Sequence, residues 1–331
     1  MSDPSANDSS DSDTDAGGDD EASTAVNGDK VAHSTPSADG GESASPGTSV
    51  DPADSTATTV TTDTPSPDKT IDSPLRAIGV AFGLGVLAIF VLVVVATLAS
   101  VGLSLVAALT GWQPPFAVQT MVPLGLSQIV AFVGLGLVYL RRRGFDTDDI
   151  VAYLGVRWPS PVGAVLAVVG PFVALTIALT FGSIVIRFVT EPAPNQGAQV
   201  ALENPSIIPV MIVGMLLIVG PCEEFLFRGV IQSRARETFS AVPAIVLAAA
   251  VFAPVHIVSL AGGGLTAVLA TISILFVPAL FFGAVYEYTG NLVVVALMHG
   301  LYNSLILTVV YIAITYGPEL EAAAESGALL F

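Results

Sequence analysis

From Ile78 to Ala108 the chain runs through thirty-one residues without a single charged side chain. A helix rising 1.5 Å per residue crosses a hydrocarbon core of about 30 Å in roughly 20 residues, so this stretch reads as one long, tilted membrane span. Further apolar runs follow at 116–140, 161–186, 206–232, 242–261, 265–287 and 290–316. Polar or Gly/Pro-rich stretches such as 141–160 and 191–205 separate them. The expected fold is all-α: a polytopic membrane bundle of about seven transmembrane helices.

Composition divides the chain further. It is 53% hydrophobic and 12% charged, outside the usual range of a soluble domain. The net charge of −17 is uneven, because residues 1–73 hold 16 of the 28 acidic residues and 2 of the 11 basic ones. That segment is Ser, Thr, Asp, Gly, Ala and Pro with few large apolar side chains, so it cannot bury enough surface to offset ordering entropy and is expected to be a disordered acidic tail. A membrane domain at 74–317 and a short tail at 318–331 complete the expected organisation. No basic groove is present and the excess charge is negative, which excludes nucleic acid as a partner. Asp-rich, Lys-poor composition also suits a halophile's high-salt cytoplasm.

If the tail is cytoplasmic, alternating spans put Arg76, Arg141, Arg142, Arg143, Arg157, Arg234 and Arg236 inside and only Arg187 near an outer end. That is the positive-inside pattern of a multi-pass cell-membrane protein. The first span then serves as the targeting element, since the first thirty residues lack the basic and apolar regions of a secretory signal. No internal repeat is visible, against a transporter built from duplicated bundles.

Ionisable residues within the later spans are few: Glu223, Glu224 and Arg228 on the fourth, His256 on the fifth, Glu287 ending the sixth and His299 on the seventh. A charge at membrane depth costs a few kcal/mol or more (roughly 2.5–3.5 on insertion scales), so such groups face the bundle interior and are functional candidates. Glu224 and Arg228, four apart with the acid first, form an intrahelical pair that holds the helix. Glu223 projects about 100° away and lacks that partner, which makes it the candidate general base. His256 lies four residues after Phe252, and His299 four before Asn303, each pair on one helix face.

This set suits peptide hydrolysis: a carboxylate deprotonates water, a histidine orients it, and His and Asn donors stabilise the oxyanion. Glu223, His256 and His299 equally match a catalytic zinc ligand set, although no His-Glu-x-x-His helix is present, so zinc stays open. Cys222 reads as a small buried hydrophobe, Glu287 between two tyrosines as an interfacial charge, and Gly262–Gly264 as a turn.

Pro221-Cys222-Glu223-Glu224-Phe225-Leu226-Phe227-Arg228-Gly229 resembles the Glu-Glu-x-x-x-Arg signature of the CAAX prenyl protease and bacteriocin-processing (CPBP) intramembrane peptidases. Phe252 to His256 is similar to that family's Phe-x-x-x-His motif, and His299 to Asn303 to its His-x-x-x-Asn motif. The three occur in order over roughly residues 205–310. The resemblance implies a helical membrane fold with a cavity reached from the cytoplasmic side. In it Glu223 and His256 activate water, and His299 and Asn303 form the oxyanion site. It implies a membrane protein or lipidated peptide as substrate, within a lipid bilayer, and admits both a zinc and a metal-free glutamate mechanism. Two alternatives remain at this point: a non-proteolytic scaffold or bacteriocin-immunity protein, and an ion or proton carrier. One geometric conflict also stands, because the topology puts Glu223 and His299 in the inner half while His256 falls some 20 Å along its span.

Overall fold

A computed structural model describes residues 73–189 and 191–325, with side chains to 319; the expected tail over 1–72 lies outside the described residues. Among the described residues there is no strand, only an isolated bridge between Asn195 and Leu260. The helices are α1 (Pro74–Thr110), α2 (Phe116–Arg142), α3 (Thr147–Leu154), α4 (Pro161–Val185), α5 (Gln196–Glu203), α6 (Pro205–Arg236), α7 (Ala241–Ser259), α8 (Leu265–Thr289) and α9 (Leu292–Glu325). Seven of them, all except α3 and α5, are long and apolar enough to cross a membrane, and each falls on an apolar run read from the sequence. The last helix continues past residue 317 to Glu325.

Large apolar side chains cover the outside of the bundle: Phe90 and Leu98 on α1, Leu179 on α4 and Leu217 on α6 are each at least 65% exposed. A soluble monomer rarely shows apolar surface on this scale, and a bilayer satisfies it. Inside, α1 presents the small residues Ala77, Ala81, Gly85 and Ala88. Gly85 leaves room for the Val251 side chain of α7, as apolar spans do when van der Waals contact must supply the association energy.

The polar end of the bundle is tied by ion pairs. Arg143, just past α2, grips Glu237 with two bonds of 2.8 and 2.9 Å; Arg234 and Tyr153 add bonds of 2.9 and 2.8 Å. Burial and the Glu237 carboxylate both raise the Tyr153 phenol pKa, so it remains a donor at neutral pH. Arg236 pairs with Glu287 at 2.8 Å, giving that interfacial charge a structural task. Together these contacts join the ends of α2, α6 and α8.

Two local features set the depth of the site. Pro221 has no N–H to return to the preceding turn, and α6 widens to π geometry on either side, over Met215–Val219 and Phe225–Gln232. Helix α7 is short: its α-helical part ends at Val255, just after Pro254, and tightens into a 3-10 turn at His256–Ser259. The chain between α4 and α6 closes over that end. Asn195 bonds Ser259 at 3.1 Å, Gln196 bonds the Leu260 carbonyl at 3.2 Å, and the Ala261 amide bonds the Pro194 carbonyl at 2.8 Å.

Backbone meets backbone between α6 and α9. A Cβ on Gly220 would sit 2.6 Å from the Gly300 nitrogen, and one on Gly300 would sit 2.9 Å from Leu216 Cα. Both positions require glycine because backbone meets backbone. Gly300→Ala is expected to push the helices apart and destabilise the protein by about 1–3 kcal/mol, the usual cost of overpacking. A fall in the midpoint of thermal unfolding in detergent would register it, and an unchanged midpoint would refute the close approach.

Candidate active site

The three motif segments converge. Glu223 sits thirteen residues before Arg236, about 20 Å along α6, and His256 sits fifteen residues after Ala241, about 22 Å along α7. The two helices form an antiparallel hairpin, so these residues lie level. Helix α9 begins beside Gly229, whose added Cβ would lie 3.6 Å from Leu292, and His299 is seven residues further in, about 10 Å. The conflict expected from the sequence therefore disappears. Helix α6 reaches four residues beyond the expected 232, which places Glu223 near mid-helix rather than in a shallow inner half.

Glu223 Oε2 lies 3.9 Å from His256 Nε2 and 3.7 Å from His299 Nε2. Glu223 and His299 are buried, while the His256 side chain keeps 21% exposure. Each imidazole is oriented from its other nitrogen. The His299 Nδ1–H donates to Glu224 Oε1 at 2.8 Å, and the His256 Nδ1–H donates to the Phe252 carbonyl at 3.1 Å. With Nδ1 engaged in this way, Nε2 of each ring faces Glu223. The gaps of 3.7 and 3.9 Å are too long for direct hydrogen bonds.

Glu224 and Arg228 are both fully buried. Arg228 Nε lies 3.3 Å from Glu224 Oε2, an ion-pair distance without hydrogen-bond alignment. The same guanidinium donates to the Ala279 carbonyl at 3.2 Å and stacks 4.9 Å from the Phe252 ring. Glu224 thus holds Arg228 on one oxygen and His299 on the other, more than the intrahelical pair expected from spacing. Phe252 links the three motifs, with its ring 4.7 Å from that of His256, 5.8 Å from that of His299 and 5.0 Å from that of Phe227. Asn303 lies one turn beyond His299 on α9, half-buried, with no hydrogen bond among the described residues. It is on the right face but not engaged with Glu223 or the imidazoles.

Sequence reasoning overlooked Gln128. Its Nε2 donates to Glu223 Oε1 at 3.3 Å from the adjacent span, and the residue is 5% exposed. An uncharged amide inside the 116–140 apolar run was the available signal, and attention to ionisable groups alone passes over it.

The donor set is looser than a zinc site. Zinc bonds of 2.0–2.1 Å in a tetrahedron put neighbouring ligand atoms about 3.3–3.4 Å apart, against 3.7 and 3.9 Å here. Among the described residues no three His, Cys, Asp or Glu side chains form a metal-holding group. Glu223, His256 and His299 are the residues that would hold zinc, and their facing atoms stand farther apart than zinc ligands do.

Comparison with known proteins agrees with the geometry. Residues 205–305 match the family model described as "Type II CAAX prenyl endopeptidase Rce1-like". No curated protein and no solved structure matches the chain. The matched stretch contains all three motifs and the α6–α9 contact that brings them together, and residues 205–305 are an Rce1-like domain of the CAAX protease family.

Proposed function

We propose that the protein is an intramembrane endopeptidase that hydrolyses a peptide bond of a membrane-associated substrate with water activated by Glu223. The family match supports CAAX-type endopeptidase activity in general terms. The observation carrying the finer reading is that Glu223 Oε2, buried and without a hydrogen-bond partner, faces two imidazole nitrogens at 3.7 and 3.9 Å. A polar network retained only for helix packing satisfies its members, because each unpaired buried group costs about 1–3 kcal/mol. Of the seven buried side-chain atoms without a partner among the described residues, Glu223 Oε2 is the one aimed at both imidazoles.

In this mechanism Glu223 Oε2 takes a proton from a water that His256 Nε2 orients, and the hydroxide attacks the substrate carbonyl. His299, held at Nδ1 by Glu224, donates from Nε2 to the resulting oxyanion. The Glu224 carboxylate accepts from Nδ1 at 2.8 Å and holds the ring in that orientation. Asn303 supplies a second donor once substrate draws it in. Glu223 then returns the proton to the leaving amine.

An apolar groove of about 170 Å³ between α2 and α6, lined by Met121, Leu124, Gly125, Val213 and Val219, ends one turn from Gln128 and Glu223. It supports access for an apolar substrate segment from lipid. In the cytoplasm-facing orientation that the arginines favour, the substrate terminus enters from the cytoplasmic side.

Purified protein in liposomes should cleave at least one of a panel of tagged membrane proteins and prenylated CAAX peptides. Cleavage should persist in excess chelator. Chelator-sensitive cleavage restored by zinc would replace the water-only mechanism with a metal-bound one. Absence of cleavage across the panel would shift weight to a scaffold role.

A further inference from the structure

We infer that Gln128, on a helix outside the family-matched stretch, is the positioning residue for the catalytic carboxylate; this rests on the reading of Glu223 as base. Its amide can face the carboxylate in only one way, since the Nε2 hydrogens donate to Glu223 Oε1 and the reverse orientation would set oxygen against oxygen. The consequence is visible at the other end of the amide, where Gln128 Oε1 is buried with no partner. Gln232 is half-satisfied in the same way, with Nε2 on the Gly283 carbonyl and Oε1 unpaired, so what singles out Gln128 is its partner, the Glu223 carboxylate. This one leaves its acceptor unpaired while its donor holds Glu223.

The backbone supports the same assignment. Gln128 is the last α-helical residue before a π-helical segment at Ile129–Gly134. The other two π segments of the described residues flank the Glu223–Glu224 pair on α6. Single π turns re-aim side chains and are frequent at functional sites. All three therefore adjoin the two side chains that make this hydrogen bond. With Oε1 of Glu223 held by Gln128, Oε2 is left as the oxygen facing His256 and His299. Gln128 acts through Glu223 and touches neither imidazole in the hydrogen-bond network.

The test pairs kinetics with infrared spectroscopy of the full chain in liposomes. The Glu223 carboxyl band is assigned as the band lost in Glu223→Gln. In Gln128→Met, which keeps the bulk and removes the donor, that band is expected to shift, and kcat to fall about ten- to a hundredfold with KM changed less than about twofold, as for loss of one hydrogen bond to a charged group. Ser127→Ala, buried on the same helix and bonded only to the Leu124 carbonyl, should alter neither. An unmoved band in Gln128→Met overturns the inference, and so does a shifted band with unchanged kcat. If Gln128→Met does not fold, Gln128→Asn, too short to reach Glu223, is read by the same two criteria. A parent protein that cleaves nothing brings down the protease reading and the positioning role with it, whereas an unmoved band in Gln128→Met beside an active parent overturns the Gln128 inference alone.

Discussion

Glu223→Gln should lower the rate of peptide cleavage by about 10²- to 10⁴-fold, the usual range for removing a general base, while leaving the unfolding midpoint close to that of the parent protein. The substitution is nearly isosteric. The new amide oxygen still accepts from Gln128 Nε2, which lies 3.3 Å from Glu223 Oε1 in the parent. What is lost is the ability of the second oxygen to take a proton at the point facing His256 and His299. The measurement is single-turnover cleavage at saturating substrate, with circular dichroism and thermal unfolding as the control on folding. Parent-like turnover in this variant would remove Glu223 as base and leave the constellation as a packing network. A loss of rate accompanied by a large loss of stability would mean that the residue supports the fold instead.

The largest effect on stability is expected at Arg228. Arg228→Met leaves the fully buried Glu224 carboxylate without its cation, and breaking a buried pair from one side costs about 3–5 kcal/mol. The double variant Arg228→Met with Glu224→Gln removes both charges and should recover a large part of that loss. It should not recover activity, because the carboxylate that holds the His299 ring through Nδ1, at 2.8 Å in the parent, is gone. Arg228→Lys should not substitute fully, since a single ammonium cannot combine the contact with Glu224, the bond to the Ala279 carbonyl and the stack on Phe252. Chemical unfolding in detergent gives the stabilities. If the double variant is no more stable than Arg228→Met, the ion pair is not what holds this part of α6.

Different parts of the molecule were legible to different degrees. The seven spans could be read because lipid imposes one requirement, a run of apolar residues long enough to cross it, and that requirement is local. Glu223, Glu224, Arg228, His256, His299 and Asn303 stood out because polar groups are costly at membrane depth. Gln128 meets the same condition, but an uncharged amide in an apolar run carries a weaker signal than a carboxylate. Its partner is on another helix, so no spacing rule along the chain connects the two.

The sequence by itself determined that this is a helical membrane protein and which side chains stand out within its spans, because both follow from transfer of residues into lipid one helix at a time. Only the tertiary structure decided how those side chains meet. The level of His256 with Glu223 depends on how far α6 extends past residue 232 and on where α7 ends. The division of Glu224 between Arg228 and His299 depends on the backbone contact of Gly220 with Gly300. The hold of Gln128 on Glu223 depends on where π turns direct the helices. These are relations between segments far apart in the chain, set by packing and by the need to satisfy buried charge, and no periodicity within one helix encodes them.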